Sequence, residues 1–274
     1  MKILLSCFFA LLLLPQFAIA DPIFIAGSTT VKKFMELAAE KYQENHIGVS
    51  FHINGGGSTD GFGEAISNNA HIGMMSRELT AEEEGKLGAY KQITIAYDAV
   101  TPVVSDEVYH QGNITKISME NLAKIYRGEI NNWRELSGFD RPILVVDKEL
   151  HLGTRYVFAN TLLGSPKAKA RNDAVIIEDN LDVTSLVQAS DQAIAYVSLS
   201  YVDDNVHALD IIVDDKLIVP NQQNIRSGTY PFSRKLHLIV PENLPAYVQV
   251  FINFLLSPEG QAMVKQAGYV PLLN

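Results

Sequence analysis

Short apolar runs alternate with stretches of helical periodicity along most of the chain. Residues 23–26 are apolar and predict a buried strand, and apolar positions at helical spacing over 31–42 predict a helix after it. The same order recurs at 49–67 and again at 71–84. Alternating strands and helices indicate an α/β protein with mostly parallel mixed sheets flanked by helices.

The apolar stretch at 93–104 is too long for one short strand. We interpret it as a strand that crosses between two domains, with residues 193–198 as its partner, so that two hinge strands join two lobes. Helices and strands predicted elsewhere are helices near 118–126, 154–163, 184–189 and 244–256, and strands at 142–146, 217–219 and 235–240. We therefore predict a first lobe formed by 21–104 plus 200–274 and a second lobe formed by 105–199, with a cleft between them.

The first twenty residues have a different pattern. They carry one Lys, an apolar run over 3–14 and the ending Ala18-Ile19-Ala20, which together predict a secretory signal peptide cleaved before Asp21. The apolar run is shorter than the roughly 20 residues that a membrane-spanning helix needs. Cys7 precedes most of the apolar region, which argues against lipid attachment at this residue. An exported protein with a cleaved signal peptide and no lipid anchor fits a periplasmic location.

Composition narrows the possible functions. Cys7 is the only cysteine, so the mature chain would have neither a disulfide nor a thiolate site. Without Lys2 the chain has 21 basic and 31 acidic residues and a formal charge of −10, with no basic cluster typical of nucleic-acid binding. An acidic protein that binds a small anion must use backbone N–H groups, hydroxyls and a few local cations.

Hydroxyl residues stand at three predicted strand-to-helix junctions. Thr29, Ser58 and Ser76 each follow an apolar strand, and glycines at 27 and 55–57 precede the first two. A helix N-terminus presents unpaired N–H groups and partial positive charge, so such junctions can bind an anion. Simple N-capping by Ser or Thr is the alternative at each position.

A fourth junction follows the strand predicted at 142–146. There Lys148 and Arg155 supply positive charge, and Gly153 and Thr154 open the next helix. The alternative for the two cations is solvated surface charge, or a pairing of Arg155 with Glu149.

Signals of an enzyme are missing from the sequence. No phosphate-binding nucleotide loop and no Gly-x-Ser-x-Gly elbow are present, and His151 has no partner at metal-ligand or triad spacing. We therefore predict no catalytic residues, no metal, no cofactor and no enzymatic activity. A hydrolase that releases phosphate is disfavoured because the sequence shows no nucleophile together with a general base.

The order of motifs resembles the PstS-like family of phosphate-binding periplasmic proteins. The resemblance covers nearly the whole mature chain and comprises AGSTT at 26–30, GGGS at 55–58, IGMMSRE at 72–78, IYRGEINNW at 125–133, GTR at 153–155, SGTYPFSR at 227–234, LSPEGQ at 256–261 and AGYVPL at 267–272. Each motif is weak alone, but their order is specific.

The resemblance implies a type II periplasmic binding protein fold whose lobes close on a dehydrated phosphate. It implies that hydroxyls and N–H groups from both lobes, with an Arg and an Asp, hold the ligand, and that a monomeric receptor delivers it to an ABC transporter permease in the inner membrane. By position, Thr29 and Ser58 match the first-lobe hydroxyls, and Gly153 and Thr154 match the end of the second-lobe anion loop. The full set of ligand-binding residues that we predict is Thr29, Ser58, Ser76, Arg77, Lys148, Gly153, Thr154 and Arg155.

Three departures from the family pattern affect the expected site. Ser76, followed by Arg77, replaces the Asp of the best-known members, Lys148 or a neighbour stands where Arg is expected, and Leu152 replaces Ser. The missing carboxylate weakens selection of phosphate against sulfate. The missing hydroxyl removes roughly 1.5–3 kcal/mol of binding free energy. These departures leave open an alternative function, that of a secreted scaffold or interaction protein that keeps the binding-protein fold and has weakened anion binding.

Overall fold

The computed structural model describes residues 21–272. The strands are β1 (Ile23–Gly27), β2 (Phe51–Gly55), β3 (Ile72–Met75), β4 (Tyr90–Val104), β5 (Lys116–Ser118), β6 (Leu144–Asp147), β7 (Val175–Ile176), β8 (Ala193–Ser198), β9 (His207–Ala208), β10 (Asp210–Val213), β11 (Lys216–Ile218) and β12 (Ser233–Pro241). The helices are α1 (Thr29–Asn45), α2 (Ser58–Ile66), α3 (Ala81–Lys86), α4 (Asp106–His110), α5 (Met119–Arg127), α6 (Arg134–Ser137), α7 (Gly153–Leu163), α8 (Asn180–Gln188), α9 (Gln222–Ser227), α10 (Ala246–Leu256) and α11 (Pro258–Gln266), and a 3₁₀ turn covers Leu199–Tyr201.

The predicted signal peptide at 1–20 lies outside the described residues. Within 21–272, no helix combines the length and the apolar character needed to cross a membrane.

The strands form one large sheet and one small one. The large sheet has the order β2-β1-β3-β12-β4-β8-β6-β7, with β9 paired to the end of β4, and the small sheet has the order β11-β10-β5. Strand β1 is parallel to β2 and β3, and β6 is parallel to β7 and β8, whereas β12 runs antiparallel between β3 and β4. This mixed, helix-flanked sheet confirms the predicted fold class.

Strand β4 belongs to both halves of the large sheet. Residues 90–99 pair with β12, and residues 100–104 pair with β8 in the antiparallel sense. The pairing confirms the predicted crossing strand and its partner at 193–198. It also sets Asp98 opposite Arg234 on β12.

Two large apolar cores pack against the two halves of the sheet. One joins α1, β1, β3 and α10 around Phe34 and Phe251, and the other surrounds Trp133 and Phe158. Leu209, Ile211 and Ile225 belong to the second core, and β10 pairs with β5. Part of the stretch after 200, which we predicted to lie in the first lobe, thus packs into the core around Trp133 and Phe158. The lobe boundaries remain a prediction.

Candidate functional site

The N-termini of α1, α2 and α7 meet between the two halves of the sheet. A Cβ atom added to Gly153, the first residue of α7, would lie 2.3 Å from Oγ of Ser58, the first residue of α2. Oγ1 of Thr30 in the first turn of α1 lies 3.3 Å from Oγ1 of Thr154 in α7. Helix N-termini carry unpaired N–H groups and partial positive charge, so three of them are directed at one region.

Five buried hydroxyl residues, which we call the hydroxyl cluster, occupy this region: Ser28, Thr30, Ser58, Ser76 and Thr154. Oγ of Ser28 donates to Oγ of Ser76 at 2.9 Å, and the backbone N–H of Ser76 donates to Oγ of Ser58 at 3.0 Å. All five residues are at most 4% exposed. The cluster is therefore a buried array of short polar groups contributed by both halves of the protein.

Arg234 supplies a positive charge to the hydroxyl cluster. Its Nη1 donates to Oγ1 of Thr154 at 3.0 Å, and its Nη2 donates to Oγ1 of Thr30 at 3.3 Å. Its Nε and Nη2 donate to Oδ2 of Asp98 at 2.9 and 2.7 Å. The Oδ1 atom of Asp98 accepts from Oγ of Ser198 at 2.9 Å, so the carboxylate that orients the guanidinium is itself held in place.

Lys148 is a second buried cation near the site. It is 2% exposed, and its Nζ donates to the carbonyl of Glu178 at 3.3 Å. Burial lowers the pKa of Lys148 to about 7, an effect that nearby Asp179 opposes and Arg234 reinforces. An anion bound beside this amine would favour its charged form.

The other two predicted cations lie in ion pairs. Arg77 donates to Glu83 at 2.6 and 2.8 Å, and Arg155 lies 2.9 Å from Asp147, which replaces the Glu149 partner considered from the sequence. Both arginines are at most 3% exposed. Their guanidinium groups bond to these carboxylates, to backbone carbonyls and to Thr59, and not to the five residues of the hydroxyl cluster.

Thr29 lies beside the hydroxyl cluster and its side chain packs elsewhere. Its Cγ2 atom would be 3.0 Å from a Cβ added to Gly55, and its carbonyl accepts from the hydroxyl of Tyr201 at 3.4 Å. The neighbouring Thr30 provides the hydroxyl that contacts Thr154 and Arg234. Thr29 nevertheless opens α1, so its backbone N–H belongs to the unpaired first turn.

The structure thus brings together four of the residues predicted for the site, Ser58, Ser76, Gly153 and Thr154, and places beside them four residues that were not predicted from the sequence. These are Ser28, Thr30, Asp98 and Arg234. A signal for Arg234 in the sequence is its position between Phe232 and the strand predicted at 235–240, where a charged side chain needs a partner.

The loop before α7 closes over the hydroxyl cluster. Leu152 is 5% exposed, and its Cδ2 would lie 3.1 Å from a Cβ added to Gly57. The carbonyl of His151 accepts from N–H and Oγ1 of Thr59 at 3.4 and 3.2 Å. Leu152 occupies the N-cap position of α7, where no side chain caps the helix. Its apolar side chain therefore fills space between the lobes where a Ser would have capped α7.

A groove with a volume of about 490 Å³ lies next to the site and includes Arg234 in its wall. Arg77, Arg226 and Lys235 also line it, together with Tyr97 and Tyr156. The acidic Glu78 lines the groove as well, and Glu83, Asp98 and Glu78 pair with Arg77, Arg234 and Lys235.

Comparison with known proteins places the chain in a family. Residues 16–259 match the PBP superfamily domain. A Clostridium perfringens protein solved with bound phosphate, described as a phosphate ABC transporter substrate-binding protein, is 33% identical with a TM-score of 0.83 over 92% of this chain and 100% of that chain. An ABC-type phosphate transport receptor from Vibrio cholerae is 30% identical with a TM-score of 0.74, over 90% of this chain and 99% of its own.

A curated relative gives the same result. The phosphate-binding protein PstS of Borreliella burgdorferi is 29% identical over 253 residues, which cover 90% of this chain and 88% of the relative. These relatives are substrate-binding proteins and not enzymes, in agreement with the prediction from the sequence. The chain belongs to the PBP superfamily and, within it, to the PstS-like family of phosphate-binding proteins.

Proposed function

We propose that this protein binds phosphate between its two lobes and delivers it to an ABC importer. The observation that carries the proposal is the meeting of three helix N-termini with Arg234 at the hydroxyl cluster. Helix N-termini and arginine are the groups that proteins commonly use to bind phosphate. The relatives named as phosphate receptors support the same ligand.

In this proposal each group has a distinct role. The N–H groups at the starts of α1, α2 and α7 and the hydroxyls of Ser58 and Thr154 donate to the phosphate oxygens. Arg234 supplies the main positive charge, oriented by Asp98, and Lys148 supplies a second one once the anion has raised its pKa. Thr29 contributes its backbone N–H, whereas Arg77 and Arg155 support the loops through their ion pairs.

We also propose that selection against sulfate is incomplete. A phosphate that carries a proton needs an acceptor in the site, and Ser58 and Ser76 can accept through their hydroxyls. A hydroxyl can turn and donate to fully ionised sulfate instead, whereas a buried carboxylate cannot. We therefore expect phosphate to bind best and sulfate to compete.

The surroundings of the receptor are part of the proposal. For this chain we propose cleavage before Asp21 and a periplasmic location, because residues 1–20 have the pattern of a secretory signal peptide. The receptor is a monomer that docks, in its closed form, on a permease in the inner membrane.

Isothermal titration calorimetry of the purified protein with phosphate and sulfate tests the proposal. We expect one phosphate per chain and at least a tenfold loss of affinity for Ser58→Ala, because a hydrogen bond to a charged group contributes about 1.5–3 kcal/mol. Ser105→Ala is the matched control, since Ser105 is equally buried and bonds to the backbone of Ala193. Its phosphate affinity should stay unchanged.

The proposal is wrong if neither phosphate nor sulfate binds the wild-type protein at about 1 mM, the concentration that corresponds to a binding free energy near −4 kcal/mol. It is also wrong in its placement of the site if Ser58→Ala and Ser105→Ala bind phosphate equally well.

A further inference from the structure

Asp106, His110 and His207 lie together at the protein surface, where β4 ends. Asp106 and His110 are four residues apart in α4 and therefore share one face of that helix. His207 belongs to β9 and pairs with Val104, the last residue of β4. Both parts of the group are thus anchored to the end of the same strand.

The potential ligand atoms of these residues are close to one another. Oδ1 of Asp106 lies 2.9 Å from Nε2 of His207 and 3.4 Å from Nε2 of His110, and one ligand atom from each residue falls within 4.8 Å of the other two. Bond lengths to zinc of about 2.0–2.2 Å place tetrahedral ligand atoms roughly 3.3–3.6 Å apart. Small side-chain rotations would therefore bring all three atoms into bonding positions.

The rings are oriented and the group is accessible. His207 stacks on Tyr109 at 4.5 Å between ring centroids, and it contacts the ring of His110 edge-on at 4.9 Å. The side chains of Asp106 and His110 are 65% and 60% exposed. An ion from solvent can reach the ligand atoms, while the packing of Tyr109 keeps the His207 ring in a defined plane.

We propose that Asp106, His110 and His207 form a binding site for a divalent transition metal of the Zn²⁺ class. Each imidazole binds through the Nε2 lone pair and keeps its proton on Nδ1, and Asp106 binds as a carboxylate. Two imidazoles and one carboxylate suit Zn²⁺, Ni²⁺ or Cu²⁺, whereas Mg²⁺ and Ca²⁺ prefer oxygen ligands alone. Three protein ligands leave the fourth tetrahedral position for water.

His207 is distant along the chain from the other two ligands, so the spacing of residues in the sequence does not reveal this group. Folding joins them through the pairing of β4 with β9. A bound metal would connect α4 to β9 and would stabilise the folded protein by an amount that grows with free metal concentration.

Calorimetric titration of the untagged, chelator-treated protein with Zn²⁺, and with Mg²⁺ in parallel, tests the site. We expect one Zn²⁺ per chain, a rise in Tm with Zn²⁺ and no response to Mg²⁺. His110→Ala and Asp106→Asn should each weaken Zn²⁺ binding by more than about tenfold, because loss of an outer partner of a ligand already costs 10- to 100-fold. His52→Ala, at an exposed histidine on β2, is the matched control and should bind Zn²⁺ as the wild type does.

Two results would overturn the site. One is that the wild-type protein binds no Zn²⁺ at about 0.1 mM free metal. A site with a Kd below that concentration would raise the Tm measurably. The other is equal Zn²⁺ affinity of wild type and His110→Ala, which would place the ion elsewhere. Phosphate titration of His110→Ala without zinc should give the wild-type affinity, so the metal site and the proposed phosphate function can fail independently. Far-UV circular dichroism confirms that the variants fold.

Discussion

Gly153→Ala is a sharp test of the proposed closure of the lobes. The new Cβ would lie 2.3 Å from Oγ of Ser58 and 2.5 Å from Oγ of Ser76, where ordinary contacts begin at 3.4 Å. Both hydroxyls are buried and at most 1% exposed, so the lobes must separate by about an ångström to accept the methyl group. Overpacking of this kind costs about 1–3 kcal/mol, which corresponds to roughly a 5- to 150-fold loss of phosphate affinity.

The predicted loss is specific to the closed form. In an open form the contact between Gly153 and Ser58 is absent, and alanine is the better residue within a helix by about 0.5–1 kcal/mol. We therefore expect calorimetry to show weaker phosphate binding and urea unfolding to show unchanged or slightly higher stability without ligand. Gly63→Ala in α2 is the control, because no heavy atom lies within 4 Å of its added Cβ. Wild-type phosphate affinity of Gly153→Ala would refute the proposal that the lobes close on the anion here.

Three further substitutions test the charged and apolar parts of the site. Arg234→Met leaves the 2%-exposed Asp98 carboxylate without its cation, and urea unfolding should show a loss of stability of about 3–5 kcal/mol. The additional change Asp98→Asn should restore part of this stability without restoring phosphate binding. Equal stability of Arg234→Met and the wild type would contradict the prediction. The pKa of Lys148 is about 7, below the 10.5 of the free side chain, so the unfolded chain binds more protons than the folded protein between about pH 7 and 10. The free energy of unfolding should therefore rise with pH in this range, by at most about 1.4 kcal/mol per pH unit. Denaturant titrations between pH 7 and 9 should show this contribution in the wild type and its loss in Lys148→Met, and identical slopes would disprove it. Leu152→Ser restores a hydroxyl at the N-cap of α7, and calorimetry should show about tenfold tighter phosphate binding, whereas no change would favour a protein repurposed as a scaffold.

The sequence predicted most of the longer elements and their order because their signals are local, whereas α11 and short elements such as α4, β5 and β9 were not predicted. The helical spacing after Gly27 and the apolar run of β4 reflect burial of one face or of a whole strand, which a single sequence displays. The antiparallel entry of β12 between β3 and β4 is not visible in this way. Strand neighbours depend on contacts between distant residues, and a pattern along one strand does not name its partner.

The site was predicted in part for a similar reason. Ser58 and Gly153 stand at the start of helices, so their position follows from the local pattern. Three consecutive hydroxyl-bearing residues open α1, and only the orientation of that helix decides that Thr30 faces Arg234. The ion pairs of Arg77 and Arg155 likewise depend on Glu83 and Asp147 being brought next to them by loops.

Strand β4 changes its pairing partner directly after Ala99, the neighbour of Asp98, without any intervening loop. The ion pair of Asp98 and Arg234 therefore sits at the pivot of the two halves, where a closing rotation displaces atoms least. We expect the Arg234 guanidinium to keep its position before a ligand arrives. An incoming anion would then contact Arg234 first and would be enclosed afterwards, when Thr154 moves toward it. Stopped-flow measurements should accordingly show that Arg234 governs the association rate of phosphate and that Thr154 governs its residence time.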